Sequence, residues 1–489
     1  MDTANPAIPP ADSLRNQVRA AVIWRSGSQI VGQLVTWVST FIVIRILSPA
    51  DYGLYALTSV VLGLLTLMNG FGIANALIRE REATPQLLRQ VFGMLFVLNG
   101  ALALIQFLAA PLAAAWYGQP RVTELLRVQS LIYLTNPFLA LAYAVLSRQM
   151  DFRRQAQVNL IAGFAAAAVA LGGAFGGLGV WTLVFAPLTG FVVRAGGMTI
   201  AAGTFIRPSF DFRGAWRLAL FGGTVTIGQF FWFLQTQADI AIAGRAFAPH
   251  LLGIYTTSLF LTQMFVTKFV PPINEVAYSA YARLQDDGAA FRYGFLKAVR
   301  IIMLLGVPFS LGLAAAADAV VPVVLGPKWA ETAPVIALLG FAMPFMTLQA
   351  LFGPAVNAAG HPGIYTRISL FGGVLLPLCF LAGVRWGLVG LASAWLAGYP
   401  LLVALSAAWV LPALHLSVRE FLKAFLPPLV AGAAMVVLVR LVDRALPPIP
   451  ALAHLALLVA AGGAVYGLWL LTLARARLTE LVDLARRRG

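Results

Sequence analysis

The sequence predicts an all-α integral membrane protein with about fourteen transmembrane helices. Hydrophobic residues make up 60% of its 489 residues and charged residues only 11%, whereas a soluble globular protein carries roughly 25% charged residues. The apolar runs have helical periodicity and are about 20 residues long, which is the length that a helix needs to cross a bilayer. A motif at the first run also returns two hundred residues later. Together these features indicate a duplicated helical membrane bundle.

Fourteen apolar runs are candidate transmembrane helices. They lie at about 20–46, 53–78, 90–115, 125–147, 156–176, 179–203, 215–243, 251–279, 295–324, 332–358, 366–384, 386–412, 420–441 and 451–474. The fifth and sixth runs join through the glycine-rich segment 172–179. This segment lacks the Lys-Ser/Thr pair that completes a phosphate-binding loop, so we predict a tight hairpin there.

An internal duplication relates the first six runs to the next six. Four residues at the exit of the first run recur at a constant offset: Arg45, Pro49, Gly53 and Tyr55 are matched by Arg245, Pro249, Gly253 and Tyr255. Further on, Asn136-Pro137-Phe138 corresponds to Met343-Pro344-Phe345. Six helices per half bring both halves in from the same side, which predicts a parallel repeat. Substrate sites in such transporters lie at the interface of the halves.

The duplication defines the expected domains. They are a polar N-terminal segment at 1–19, a six-helix bundle at 20–203, a cytoplasmic linker at 204–214, a second six-helix bundle at 215–412, two additional helices at 413–474 and a basic tail at 475–489. The last two helices have no counterpart in the first half. The tail is short, basic and amphipathic, so we expect it on the cytoplasmic leaflet.

The distribution of Lys and Arg predicts the orientation. With a cytoplasmic N-terminus, the inner segments hold about three times as many Lys and Arg as the outer ones, as the positive-inside rule expects. Both termini are therefore predicted to be cytoplasmic. Because the net charge of +16 resides between hydrophobic runs, it indicates topology and not a nucleic-acid partner. The first run is too long for a cleaved signal peptide and should remain as an anchor.

No catalytic constellation accompanies these helices. The sequence has neither a carboxylate pair nor a Ser/His/Asp grouping, and it offers no soluble segment for a nucleotide-binding module. Its single cysteine, Cys379, lies in an apolar run, and its four histidines lack metal-ligand spacing. We therefore expect a protein that is not an enzyme and that needs neither a cofactor nor a metal.

The candidate functional residues are polar or charged side chains at membrane depth, where they are costly unless they face a cavity or a partner. They are the polar stripe Arg25, Gln29 and Gln33 on the first helix, Arg194 on the sixth, Asp239 on the seventh and Lys268 on the eighth. Three cations against one anion leave an excess of positive charge. Such an excess suits a phosphate or pyrophosphate headgroup, since Arg offers a bidentate fork and Lys a point charge.

Each candidate cation has a structural alternative. Arg25 and Arg194 could extend to cytoplasmic headgroups while their stems stay in the bilayer. Lys268 precedes Pro271-Pro272, where the helix could break into an aqueous loop.

The uncharged stripe and the carboxylate also have structural alternatives. Gln29 and Gln33 could form hydrogen bonds between helices. Asp239 could be the structural partner of Arg245 or Arg45.

Five stretches give the chain a family resemblance. They are RILSPADYGLYAL (45–57), FGIANALIRERE (71–82), ADIAIAGRAFAPHLLGIYTTS (238–258), PPINEVAYSAYARLQDD (271–287) and LGPKWAETAPVIALL (325–339). In this order they resemble the Wzx-like polysaccharide exporters, of the colanic-acid exporter type, in the multidrug/oligosaccharidyl-lipid/polysaccharide (MOP) superfamily. The resemblance covers roughly the first 360 residues.

The resemblance implies two six-helix bundles that form a V around a cationic cavity in the bacterial inner membrane. It implies a flippase that moves a polyprenyl-pyrophosphate-linked oligosaccharide to the periplasmic leaflet, with membrane lipids and polysaccharide polymerase or export machinery as further partners. In such flippases Arg25 falls at the position of a cavity cation, and Asp239 falls at a common seventh-helix aspartate.

The residues and the resemblance together predict alternating access. Arg25 and Lys268 would capture the pyrophosphate, the polar stripe would accommodate sugars, and Asp239 would couple transport to H+ or Na+. Three alternatives remain open: a drug/cation antiporter of the same fold, a membrane-embedded glycosyltransferase or polymerase, and a non-transporting scaffold. The antiporter would need cavity carboxylates, and the glycosyltransferase or polymerase would need an acidic catalytic motif or a large periplasmic loop.

Overall fold

The computed structural model describes residues 32–80, 83–213, 216–285 and 287–472. Within these ranges the side chains of Phe71, Asn75 and residues 216–228 are not described. Arg25 and Gln29 lie outside the described residues, as do the predicted segments 1–19 and 475–489.

Regular structure in the described ranges is entirely helical. The helices are α1 (Gly32–Ile46), α2 (Pro49–Thr66), α3 (Phe71–Arg79), α4 (Pro85–Tyr117), α5 (Arg121–Gln129), α6 (Leu131–Arg148), α7 (Phe152–Phe175), α8 (Val180–Ala202), α9 (Trp216–Ala246), α10 (Pro249–Thr262), α11 (Met264–Lys268), α12 (Val270–Arg283), α13 (Gly288–Ala315), α14 (Ala317–Val324), α15 (Thr332–Ala358), α16 (Pro362–Gly383), α17 (Gly387–Ala413), α18 (Val418–Ala445) and α19 (Ala451–Thr472). Short 3-10 turns occur at Pro327–Trp329 and Val384–Trp386.

Nine helical stretches within the described ranges are long and apolar enough to cross a membrane. One of them, Pro362–Ala413, contains two of the predicted spans. The predicted hairpin at the glycine-rich segment is present, because α7 ends at Phe175 and α8 begins at Val180. Gly177 and Gly179 in this turn have φ values of 74° and 54°, which glycine adopts without a Cβ clash. The predicted all-α membrane fold is confirmed.

Several of the predicted spans consist of more than one helix. The second span divides into α2 and α3, and the fourth into α5 and α6. The eighth divides into α10, α11 and α12, with single turn residues at Gln263 and Phe269. The interruption at Phe269 precedes Pro271 and Pro272, which lie in the first turn of α12, where a residue without an N–H does not break a helical hydrogen bond. The eighth span is therefore interrupted by a single turn residue next to its prolines and does not open into a loop.

The chain divides into two compact units. The first comprises the described residues up to Ser48 together with Leu57–Gln229. In it α8 packs against α6 and α7, and a core cluster joins α3, α4 and α6 around Leu77, Leu95 and Leu141.

The second unit comprises Pro49–Ala56 and the described residues from Phe230 onward. Its core lies around α13 and α15, where the rings of Phe295 and Phe421 lie on either side of Phe352 at centroid distances of 6.4 Å and 5.8 Å. The C-terminal helices α18 and α19 pack on α13 and α14, and Tyr466 Oη donates to the Leu304 carbonyl over 3.1 Å.

The duplicated Pro-x-x-x-Gly motif forms a reciprocal backbone contact within the second unit. A Cβ on Gly53 would lie 1.8 Å from the Pro249 carbonyl oxygen, and a Cβ on Gly253 would lie 1.7 Å from the Pro49 carbonyl oxygen. Both positions therefore require glycine, because only the absence of a side chain allows this approach. The matched residues of the sequence repeat meet each other in the fold.

Candidate functional residues and their surroundings

Asp239 lies in a fully buried polar chain of the second unit. Its Oδ2 accepts a hydrogen bond from Tyr255 Oη over 2.8 Å, and Tyr255 Oη accepts one from Trp395 Nε1 over 2.7 Å. The Trp395 ring stacks on Tyr399, with centroids 5.1 Å apart and planes inclined by 9°. The carboxylate comes from α9 and its partners come from α10 and α17, so three helices position the chain.

The other carboxylate oxygen of Asp239, Oδ1, is buried and has no hydrogen-bond partner in the described part of the chain. The N–H groups of Asp239 and Ile240 lie near the carboxylate but do not have the alignment needed to donate to Oδ1. The alternative that Asp239 is the structural partner of Arg245 or Arg45 stays a prediction. A buried carboxylate without a counterion is costly unless it takes up a proton or a cation.

Gln235 lies one helical turn before Asp239 and is also buried. A Cβ on Gly372 of α16 would lie 2.9 Å from the Gln235 side-chain carbon Cδ, so this glycine makes room for the amide. Thr236 instead donates to the Trp232 carbonyl of its own helix over 3.0 Å. The polar surroundings of Asp239 thus extend along one face of α9.

Lys268 is exposed at the end of α11. It follows Tyr255 by thirteen residues, which at 1.5 Å per residue is roughly 20 Å along the helical path. The structure therefore does not bring Lys268 and Asp239 together, although both belong to the second unit. An exposed ammonium at a helix end can meet a headgroup without the cost of burying its charge.

Arg194 and Gln33 belong to the first unit. Arg194 is half-buried on α8, its guanidinium lies 5.9 Å from the centre of the Phe191 ring, and its Nε has no hydrogen-bond partner among the described residues. Gln33 is half-buried near the start of the described part of α1. Within the described ranges, no hydrogen bond or ion pair links any two of the predicted site residues. The same ranges hold no group of three or more His, Cys, Asp or Glu that could bind a metal ion.

Sequence reasoning missed the partners of Asp239. Tyr255 was visible as a member of the duplicated motif, but its spacing from Asp239 did not reveal a hydrogen bond between helices. Trp395 and Tyr399 lie about 150 residues further on, in an apolar run where aromatic residues are ordinary. No local pattern distinguishes them.

A second buried polar cluster forms hydrogen bonds with the backbone between α2 and α3 in the first unit. Asn99 and Asn136 each donate from Nδ2 to the Asn69 carbonyl over 2.9 Å, and Asn136 also donates to Asn99 Oδ1 over 3.1 Å. Gly70, the residue immediately before α3, has a φ of 82°. A backbone carbonyl freed by a helix break within a membrane needs such partners. Sequence reasoning singled out Asn136 only as part of the repeat.

The comparisons with known proteins agree with this architecture. The model of a family described as "Polysaccharide biosynthesis protein" matches residues 42–334. The chain is 24% identical over 457 residues to the succinoglycan biosynthesis transport protein ExoT of Rhizobium meliloti (strain 1021), covering 92% of each chain. It is 23% identical over 394 residues to the lipopolysaccharide biosynthesis protein WzxC of Escherichia coli (strain K12), covering 78% of this chain and 79% of that one.

Two solved structures share the fold. The lipid II flippase MurJ in an inward closed conformation matches with a TM-score of 0.76 at 12% identity, covering 93% of this chain and 100% of that one. An inward-facing multidrug resistance MATE family transporter of the MOP superfamily matches with a TM-score of 0.63 at 15% identity, covering 81% of this chain and 98% of that one. These similarities confirm the fold that the sequence predicts.

Proposed function

The chain belongs to the polysaccharide biosynthesis protein family of the MOP superfamily, and we propose that it flips polyprenyl-pyrophosphate-linked oligosaccharide units across the bacterial inner membrane. The observation that carries the proposal is the family match over residues 42–334, on a chain with the MOP fold. Relatives named for succinoglycan transport and lipopolysaccharide biosynthesis support a lipid-linked glycan as cargo. In this proposal both termini are cytoplasmic, and the product serves cell-surface or exopolysaccharide synthesis.

The proposed mechanism is alternating access between the bundles 20–203 and 215–412. Arg25 and Lys268 capture the pyrophosphate from the inner leaflet, and Arg194 adds positive charge on the same side. Gln29 and Gln33 accept and donate hydrogen bonds to sugar hydroxyls, while the polyprenyl chain stays in the lipid. The exposed position of Lys268 at the end of α11 supports its share of this role.

Asp239 is the proposed coupling residue, with H+ or Na+ as the coupling ion. Its burial and its unpartnered Oδ1 support this role, because a single ion taken up there would relieve the cost of an isolated buried charge. Release of the ion would restore that cost. Occupancy of Asp239 can therefore bias a conformational equilibrium, provided that the ion binds the two states differently.

Export complementation tests the capture step. Arg25→Ala and Lys268→Ala should each reduce export at normal protein levels, because the pyrophosphate loses a charge-assisted contact. Arg385→Ala is the matched control, since Arg385 is an exposed cation outside the proposed site. Normal export by both site variants would refute the proposed capture of the pyrophosphate by Arg25 and Lys268.

Reconstitution tests the activity itself. Proteoliposomes with a fluorescent lipid-linked sugar should show protein-dependent exposure of the label on the opposite leaflet, whereas a non-transporting scaffold would show none. The buried carboxylate of Asp239 favours a drug/cation antiporter as the second candidate. Movement of organic cations, but not of the lipid-linked sugar, through the same vesicles would favour that alternative.

A further inference from the structure

The connection between α8 and α9 is held against α4 of the first unit by hydrogen bonds. Ser209 N–H donates to the Arg89 carbonyl of α4 over 2.8 Å, and Arg89 Nε donates back to the Arg207 carbonyl over 3.2 Å. One turn further along α4, a Cβ on Gly93 would lie 2.0 Å from the Ser209 carbonyl oxygen. The extended segment 203–213, here called the strap, is thus fastened to the first turns of α4 through its backbone.

The strap has two different faces. Ile206 and Phe212 pack on the core cluster of α3, α4 and α6. Phe205 and Phe210 point away from it, with 75% and 60% of their surfaces exposed. A segment that buries two apolar side chains yet exposes two phenylalanines needs a second apolar environment.

Helix geometry gives the depth of the strap. The 33 residues of α4 extend about 50 Å at 1.5 Å per residue, whereas the hydrocarbon core of a bilayer is about 30 Å thick. An α4 that stands upright and centred in the bilayer would project by about 10 Å at each end. Gly93 lies eight residues after Pro85, or about 12 Å from the helix start. Its contact with Ser209 places the strap at the boundary between headgroups and acyl chains.

The charges of the strap suit that boundary. Arg207 and Arg213 are both exposed, and Asp211 lies 3.8 Å from the Arg213 side chain. The strap therefore carries a net positive charge, and the predicted topology places it on the cytoplasmic face, where the basic loops of the chain concentrate. In a plasma membrane, anionic lipids are concentrated in the cytoplasmic leaflet, next to such loops.

We propose that the strap is a membrane-surface anchor. Phe205 and Phe210 insert among the acyl-chain ends of the inner leaflet, and Arg207 and Arg213 contact anionic phospholipid headgroups. The backbone contacts with Arg89 and Gly93 hold the strap at the depth that this insertion requires. The anchor is independent of the transported substrate, so it can be tested without one.

Site-directed spin labelling decides between lipid, water and protein as the environment of the exposed face. Cys379 is the chain's single cysteine, so Cys379→Ser provides the background for single labels at positions 205, 210 and 211. The purified full-length protein is reconstituted in phosphatidylcholine vesicles containing phosphatidylglycerol. Collisions of each label with lipid-soluble oxygen and with a water-soluble nickel chelate are then compared.

Labels at 205 and 210 should collide mainly with oxygen, and the label at 211 should collide mainly with nickel. Omitting phosphatidylglycerol should weaken the oxygen preference at 205 and 210, and Arg207→Gln with Arg213→Gln should produce the same loss. Nickel-dominated collisions at 205 and 210 would overturn the proposal. Protection from both reagents would also overturn it, because the face would then be covered by protein.

Gly93→Ala tests the fastening. The added methyl group should displace Ser209 from α4. The label at 210 should then no longer collide mainly with oxygen. Gly100→Ala on the same helix is the control, because nothing lies within 4 Å of a Cβ at that position. An unchanged label in well-folded Gly93→Ala protein would refute the role of the backbone contacts. If Gly93→Ala does not fold, the labels at 205 and 210 in the otherwise unaltered protein still decide the proposal.

Discussion

Gly53 and Gly253 are positions where one added methyl group creates a severe overlap within the second unit. A carbon and a carbonyl oxygen approach to about 3.3 Å at closest, whereas the added Cβ atoms would lie 1.8 Å and 1.7 Å from the two proline carbonyl oxygens. Gly53→Ala or Gly253→Ala must therefore separate two backbone segments by about 1.5 Å. Neither obstacle is the end of a flexible side chain that could rotate away.

The expected cost follows from the rigidity of this contact. Overpacking of a well-packed region typically costs about 1–3 kcal/mol, and an obstacle made of backbone places the effect at the upper end. Tyr255 follows Gly253 by two residues and donates the hydrogen bond to Asp239. A displacement at Gly253 should therefore also disturb the buried polar chain, and we expect a destabilisation of about 3 kcal/mol for Gly253→Ala.

Thermal unfolding of purified protein in detergent, followed by tryptophan fluorescence, measures the effect. Both variants should unfold at clearly lower temperatures than the wild type, and both should export less glycan in a complementation assay. Gly163→Ala is the control, because no atom lies within 4 Å of a Cβ at Gly163 within α7 and alanine favours a helix by up to about 1 kcal/mol. Unfolding of Gly53→Ala and Gly253→Ala at the wild-type temperature would refute the close backbone contact.

Four further predictions concern the buried polar groups. Tyr255→Phe leaves Asp239 Oδ2 without its donor and Trp395 Nε1 without its acceptor, so it should lower stability by about 2 kcal/mol or more. Tyr365→Phe, at an exposed tyrosine, should be neutral in the same unfolding assay. Asn136→Ala removes one of the two amides on the Asn69 carbonyl and should cost about 1–2 kcal/mol, with faster hydrogen exchange at residues 67–70. Arg148 donates a hydrogen bond of 3.0 Å to the Leu77 carbonyl at the end of α3, and Arg148→Gln should weaken it. Amide hydrogens in α3 should then exchange faster, and the protein should still insert into the membrane. Asp239→Asn should abolish the ion dependence of transport in vesicles while leaving the unfolding temperature within a few degrees of the wild-type value. Unaltered ion dependence in this variant would exclude Asp239 as the coupling residue.

Composition and periodicity predict the all-α membrane fold well, because hydrophobic runs of bilayer length have few alternatives in a chain with so few charges. They do not predict where a span breaks. The sequence predicts a continuous second span at 53–78, yet α2 ends at Thr66 and α3 begins at Phe71. The Asn69-Gly70 pair is a turn signal inside that run, but the amides that satisfy the break come from α4 and α6. Only the folded arrangement supplies them.

For basic residues, too, the sequence does not predict the hydrogen-bond partners. Arg148 is one of the basic residues whose distribution predicts the topology, and in the structure its guanidinium donates to the carbonyls of Leu77 and Glu80 around the end of α3. A helix C-terminus leaves carbonyls unpaired, and a cation from a neighbouring helix satisfies them. Sequence patterns report the sign and the side of such a residue, whereas its hydrogen-bond partners depend on helix packing.

The internal repeat separates what the two halves share from what distinguishes them. The constant offset that matches Gly53 with Gly253 also matches Ser39 with Asp239. Ser39 is buried like Asp239, but its hydroxyl donates to the Thr36 carbonyl of its own helix over 3.0 Å, so it needs no partner from another helix. The carboxylate, in contrast, depends on α10 and α17 for its donor and its enclosure. Duplication therefore reproduced the helical framework and the close glycine contact, while an ionisable centre exists at this position in the second half alone. If transport is coupled to an ion at Asp239, the two halves contribute unequally, since an uncharged serine gains nothing from a bound cation.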